Sequence, residues 1–167
     1  MVLKEAGMTS IHISRRALLA LIPAGLALTL VPGCATETVI AVTKDPNCGC
    51  CGKWVDHLKA AGYAATVNES AAVNPLKDRL GIPEDTRSCH TAEVAGYFLE
   101  GHVPASAIAR LLADRPDVKG LAVPGMPVGS PGMEVAGTPD DEYDVLAIAK
   151  DGSVRTYMRF RGKTARS

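Results

Sequence analysis

The spacing of apolar and polar positions changes along this chain, and each change marks an element. Residues 38–43, TVIAVT, are rich in β-branched side chains and predict a strand. Asp45, Pro46 and Asn47 then break the pattern as turn formers. From Cys51 to Ala61 the apolar residues Trp54, Val55, Leu58 and Ala61 recur at three- and four-residue spacing, which predicts a helix closed by Gly62. Residues 63–68, YAATVN, read as a second strand. Residues 74–80, NPLKDRL, read as a short helix with Pro75 in its first turn and Gly81 after its end.

A loop to Ser88 is followed by strand character over Thr91–Glu100 with a turn inside it, and a helix is predicted from Pro104 to Ala113. Residues 120–123 suit a short strand, and 123–133, VPGMPVGSPGM, a loop constrained by its prolines. Two alternating runs, YDVLAIAK over 143–150 and SVRTYMRF over 153–160, flank Asp151-Gly152 and predict a hairpin. No internal repeat is visible. The resulting order fits an α/β fold with a thioredoxin-like βαβα-ββα core, extended at the C-terminus by the loop and the β-hairpin. Open α/β sheets bind ligands beyond the carboxyl ends of their parallel strands. The cysteine-bearing loop after the first strand lies there, and Cys89, just before the third strand, is expected to face it.

The N-terminus has another character. Arg15 and Arg16 precede an apolar run of 15 residues, Ala17 to Val31, which ends at VPGC. A basic start, a short apolar stretch and small residues describe an export signal over residues 1–34. The run is short of the about 20 residues that a spanning helix needs, although an uncleaved membrane anchor remains the alternative. SRRALL resembles a twin-arginine signal. VPGC resembles a lipobox, which would lipidate Cys34; the competing outcome is cleavage after Ala35, with Gly33 and Ala35 as the small residues. Both outcomes imply an exported, periplasmic protein with one domain over residues 38–162, in contact with the membrane only through a lipid at Cys34.

Without residues 1–34 the chain carries 15 basic and 17 acidic residues, a net charge of −2. There is no basic patch for nucleic acid and no block of like charge. About 130 residues suffice for one modest core. Four cysteines remain: Cys48, Cys50, Cys51 and Cys89.

Those cysteines admit three readings. An oxidising compartment and an even count fit a disulfide framework. Cys48 and Cys51 alone would make a C-x-x-C redox pair at a helix N-terminus, where the dipole lowers thiol pKa. In the disulfide framework Cys50, which pairs poorly with adjacent Cys51, would join Cys89, and two bridges in one loop would tie little of the chain together; the redox pair leaves Cys50 without a role. Soft thiolates also select Cu(I), zinc or iron–sulfur clusters. One zinc ion usually draws on separated pairs of ligands, whereas three sulfurs within four residues suit several metals sharing bridging sulfurs. Four Cu(I) ions on four thiolates carry no net charge, so such a cluster can be partly buried. His90, next to Cys89, is a candidate further ligand or a hydrogen-bond partner of a cluster sulfur. Met126 and Met133 offer thioethers that suit Cu(I), or simply pack. Trp54 is expected in the core. His57 is expected at the surface, His102 as a capping or surface residue, and Glu93 and Glu134 as ordinary carboxylates. Met126-Pro127 is a place where a cis bond could border the site.

The stretches CGCCGKWVDHLKAAGY, SCHTAEVAGYFLEGHVPA and GLAVPGMPVGSPGM together resemble the CopG-type periplasmic copper-resistance proteins, a family long catalogued as a domain of unknown function. The resemblance covers about residues 38–160. It implies a thioredoxin-like fold and a polynuclear copper cluster on Cys48, Cys50, Cys51 and Cys89, which the charge balance of four thiolates makes a tetranuclear Cu(I) cluster. It also implies a role in copper resistance by sequestration or by Cu(I)/Cu(II) redox chemistry. Copper ions and other periplasmic copper-handling proteins are the expected partners, and no site for an organic substrate is legible. The alternative remains a thiol–disulfide oxidoreductase using Cys48 and Cys51.

Overall fold

The structure, a computed structural model, describes residues 38–166. The export signal expected over residues 1–34, with Cys34, lies outside the described residues. Among the described residues no helix is long and apolar enough to cross a membrane.

The described residues form a mixed α/β structure with three helices and one eight-stranded sheet. In chain order the elements are β1 (Val39–Lys44), α1 (Gly49–Ala60), β2 (Ala64–Glu69), α2 (Val73–Leu80), a 3-10 turn (Glu84–Thr86), β3 (His90–Val94), β4 (Tyr97–Glu100) and α3 (Ala105–Asp114). The C-terminal part adds β5 (Val118–Ala122), β6 (Glu142–Ala149), β7 (Val154–Arg161) and β8 (Thr164–Arg166). The sheet order is β2-β1-β3-β4-β5-β6-β7-β8. β1 pairs with β2 in parallel and with β3 antiparallel, β3 pairs antiparallel with β4, and β4 runs parallel to β5.

The expected order of elements is present, with shifted ends and one addition. α1 begins at Gly49 and so takes Cys50 and Cys51 into its first turn, where the sequence pattern starts only at Cys51. The predicted C-terminal hairpin joins the same sheet through β5 and β6, and β8 lengthens it by a strand the pattern does not announce. The turn inside 91–100 falls at Ala95 and Gly96, both with positive φ, as a tight hairpin turn requires.

Two apolar clusters cover the two faces of the sheet. Trp54, Val55 and Leu58 of α1 and Ala107, Ile108 and Leu111 of α3 pack with Ile40, Val42, Ala92, Leu99 and Leu121 of the strands. The buried residues of α1 fall at Cys51, Trp54, Val55 and Leu58, the one-sided stripe of an amphipathic helix. A smaller cluster of Ile82, Phe98, Ala122 and Ile148, with Leu80 from the end of α2, lies apart from it. Trp54 is fully buried, and its indole N–H donates to the Val103 carbonyl at 2.9 Å.

His57 is not the solvated residue expected from the sequence. It is half-buried, and its Nε2 accepts the backbone N–H of Ala105 at 3.1 Å, which satisfies an open donor at the start of α3. Burial lowers its pKa from 6.5, Lys163 lowers it further, and Glu134 opposes them. The unfolded chain therefore takes up the proton more readily. The contribution to stability is complete above the unfolded value near 6.5 and is lost as pH falls through the lowered folded value. Denaturant midpoints measured from about pH 8 down to pH 5 are expected to fall, and to fall less in His57→Gln, whose amide oxygen can still accept. An identical slope in the variant would remove His57 from the account; buried His90 and His102, also shifted downward, supply the remainder.

Candidate metal centre

The three clustered cysteines owe their positions to a turn and a helix start. Asn47 N–H donates to Asp45 Oδ1 at 2.8 Å and Cys48 N–H donates to the Asp45 carbonyl at 3.0 Å, which turns the chain out of β1. Cys48 is the N-cap of α1, and Cys50 and Cys51 lie in its first turn, which contains no acidic residue. No carboxylate therefore competes with the sulfurs for the open N–H groups and the positive dipole end of the helix. Cys51 is fully buried, and Cys48 and Cys50 are half-buried.

Cys89 stands immediately before β3. Its sulfur and those of Cys48, Cys50 and Cys51 all lie within 4.8 Å of one another, so the four expected residues do converge. Cys48 and Cys51 are joined in a disulfide, while Cys50 and Cys89 are free thiols. Cys50 Sγ is 3.5 Å from Cys48 Sγ and 4.0 Å from Met126 Sδ. Burial pushes the Cys89 thiol up to about 11, and the charge of Cys50 adds to this, while the Ser88 hydroxyl opposes it. A metal that binds Cys89 at neutral pH must therefore displace a proton.

The hairpin that carries Cys89 is anchored from below. Thr91 and Glu100 are cross-strand partners, and Lys77 of α2 reaches between them. Glu100 is fully buried and ion-paired to Lys77, which is 2 % exposed. Glu100 also accepts the Ser88 N–H at 2.5 Å and the Thr91 hydroxyl at 2.6 Å, and Lys77 donates to Thr91 at 2.9 Å. Every partner of the buried carboxylate is thus supplied by the protein, and one of them is the residue before Cys89. Neither Lys77 nor Glu100 is distinguished by the sequence pattern.

A loop closes the other side. Ser88 Oγ donates to the Gly125 carbonyl at 2.7 Å, and Val128 N–H donates to the Asp141 carboxylate at 2.8 Å. Gly132, at φ +89°, sits against α1: a Cβ there would come within 2.9 Å of Cys50 O and Trp54 N. Glu134 is more than an ordinary loop carboxylate. It accepts the Gly132 N–H and pairs with Lys163 at 2.7 Å. Burial acts to raise its pKa, but these hydrogen bonds outweigh it and bring the value to about 2. The loop leaves Met126 half-exposed at the rim, beside Cys50. Met133 contributes backbone hydrogen bonds with Gly129 and Ser130 that close the loop, and among the described contacts its sulfur meets none of the cysteines. The backbone has no cis peptide bond among the described residues, so Met126-Pro127 is trans.

His102 departs most from expectation. It is fully buried, not a cap or surface residue, and its Nε2 lies 3.3 Å from Cys89 Sγ. The signal for this was the hairpin register: Thr91 opposes Glu100 and Val94 opposes Tyr97, which carried two steps past the Thr91–Glu100 pair sets Cys89 opposite His102. His90 is also fully buried, with Nδ1 3.3 Å from the same sulfur and its ring 4.3 Å from that of Trp54. Burial drives the pKa of His90 far down, with His102 and Lys77 adding to the effect; burial also lowers His102, against the Pro131 carbonyl and Glu134. Both rings are therefore neutral near pH 7 and able to offer a lone pair.

The family model described as "Protein of unknown function, DUF411" matches residues 86–133, the stretch from the 3-10 turn through Cys89 and His102 to Met133. Two solved structures, both named copper resistance protein copG and distinguished as form 1 and form 2, are each 44% identical to this chain. They cover 75% and 74% of it, and it covers 99% and 98% of them, with TM-scores of 0.71 and 0.70. The chain belongs to the CopG-type copper-resistance family. A comparison with curated proteins found no match. Within this CopG-type chain the four-cysteine cluster is a group able to hold metal, and Cys89, His90 and His102 form a second such group.

Removing the carboxylate below Cys89 tests how firmly the hairpin is anchored. Glu100→Ala leaves Lys77 buried and unpaired and is expected to destabilise the fold by about 3–5 kcal/mol in denaturant unfolding. The double variant Lys77→Met, Glu100→Leu should lose far less, because no charge is left without a partner. A loss below about 1 kcal/mol for Glu100→Ala would mean that water reaches Lys77 and that the pair does not anchor the hairpin.

Proposed function

We propose that this protein is an exported, thioredoxin-like copper-binding protein of copper resistance, which in its reduced state holds several Cu(I) ions, as a tetranuclear cluster, on the thiolates of Cys48, Cys50, Cys51 and Cys89. The observation that carries the reading is the convergence of the four sulfurs within 4.8 Å, with two of them on adjacent residues of one helical turn. Adjacent residues point apart on a helix, so their sulfurs suit neighbouring ions in a cluster better than one tetrahedral ion. Four soft donors favour Cu(I), and four Cu(I) ions neutralise four thiolates in a half-buried place. The copper-resistance names of the two solved relatives support copper as the cargo. The order β-α-β-α-β-β-α and the sheet order β2-β1-β3-β4 support the thioredoxin-like description.

In this reading the cysteines bind, the N-terminus of α1 stabilises the thiolates, and the Met126 thioether borders the entrance beside Cys50 as a further soft donor. Met133 is kept as a candidate donor only if the loop rearranges. Storage of Cu(I) and exchange between Cu(I) and Cu(II) are both roles such a site supports. The periplasm, other copper-handling proteins there, and a lipid on Cys34 complete the proposal.

The second reading, a thiol–disulfide oxidoreductase, draws on the disulfide between Cys48 and Cys51 at the start of α1. Cys50 separates the two. The protein purified and reduced without oxygen is expected to bind several copper ions per chain, and Cys50→Ser to lose more than half of them. A count of zero or one in the wild type sinks the cluster. Full copper binding by Cys50→Ser, with disulfide exchange that depends on Cys48 and Cys51, makes the protein an oxidoreductase.

A further inference from the structure

Cys89 has a second set of neighbours besides the other cysteines. His90 Nδ1 and His102 Nε2 each stand 3.3 Å from its sulfur, and donor atoms of the three side chains lie within 4.8 Å of one another. The two rings meet edge to face with centroids 5.1 Å apart. Metal bonds of about 2.0–2.1 Å to nitrogen and 2.3 Å to sulfur put neighbouring donors of a tetrahedral ion about 3.5 Å apart. The two sulfur–nitrogen distances are close to that.

The tautomer of His102 is set for the same purpose. Its Nδ1 is 2.7 Å from the Pro131 carbonyl oxygen. A carbonyl only accepts, so Nδ1 carries the proton and Nε2, which faces Cys89, carries the lone pair. A carbonyl or carboxylate holding the far nitrogen is the usual support behind a metal-bound imidazole. His90 is fully buried as well, and its Nδ1 is the nitrogen that faces the Cys89 sulfur.

The disulfide gives this group its significance. When Cys48 and Cys51 are joined, two of the four thiolates are withdrawn and Cys50 and Cys89 remain free. Of those two, Cys89 is the one with imidazoles beside it.

We propose that Cys89, His90 and His102 form a second, single-copper site, which shares Cys89 with the thiolate cluster and keeps one copper ion on the protein when the Cys48–Cys51 disulfide is closed. The proposal rests on the copper reading above and extends it. Two imidazoles and one thiolate accept Cu(II) as well as Cu(I), whereas an all-thiolate site favours Cu(I). The two sites therefore differ in the oxidation state that each favours, and Cys89 joins them.

The test removes the cluster and keeps the second site. The variant Cys48→Ser, Cys50→Ser, Cys51→Ser leaves Cys89 as the one thiolate of the described residues. Titrated with Cu(I) without oxygen against a competing chelator, it is expected to bind one copper per chain, with both nitrogen and sulfur neighbours in X-ray absorption. Adding His102→Gln or His90→Gln should weaken binding at least tenfold and reduce the nitrogen signal. No binding by the triple variant, or binding that neither histidine variant changes, overturns the proposal. If circular dichroism shows that the triple variant does not fold, the same titration is run on the disulfide form of the wild type and on its His102→Gln counterpart, with the same outcomes. If the reduced wild type holds several coppers while the triple variant holds none, the cluster stands and this site fails. If both hold one, the cluster fails and this site stands.

Discussion

The ion pair between Lys77 and Glu100 is the constraint on which the site depends. Both side chains are buried, and charges withdrawn from water are tolerated only when every donor and acceptor is matched. Here the matching groups come from four places: Lys77 on α2, Thr91 on β3, Glu100 on β4 and the backbone of Ser88. The pair therefore fixes α2 against the hairpin and fixes the hairpin's open end in one position. Cys89 follows Ser88 directly and has little freedom left. An apolar contact at this point would tolerate sliding, whereas a carboxylate with three named partners does not.

The opposite wall is built from helix geometry. A helix start presents open N–H groups and positive potential, and α1 places three cysteines around its start without an acidic side chain among them. The long loop then lies over that start at Gly132, where only the absence of a side chain allows the backbones to meet. Trp54 links the two walls: its ring packs on His90 and its N–H is held by the carbonyl after His102. Sulfur, imidazole and thioether are thus collected from α1, the β3–β4 hairpin and the loop.

Much of this could be read from the chain. Trp54, Val55 and Leu58 mark the buried stripe of α1, Asp151-Gly152 marks the C-terminal hairpin, and Cys50 between Cys48 and Cys51 argues for metal over a simple redox pair. What could not be read shares one cause. His102, Lys77 and Glu100 look like surface residues because a polar side chain in a local window is most often solvated. Their burial comes from partners 13, 14 and 23 residues away in sequence, brought close by strand register and by the return of α2. The disulfide state of Cys48 and Cys51 is equally a property of their distance in space and not of their spacing alone.

The sequence by itself determined the elements up to β7, their order, the family and the four cysteines, because each rests on local periodicity, on turn chemistry or on neighbouring residues. The tertiary structure decided which polar groups are interior: it paired Lys77 with Glu100, turned His102 toward Cys89 and left Met126 at the rim beside Cys50. The physical reason is that burial and partner choice depend on which segments meet, and a chain of alternating apolar and polar residues leaves those meetings open until strand register fixes them.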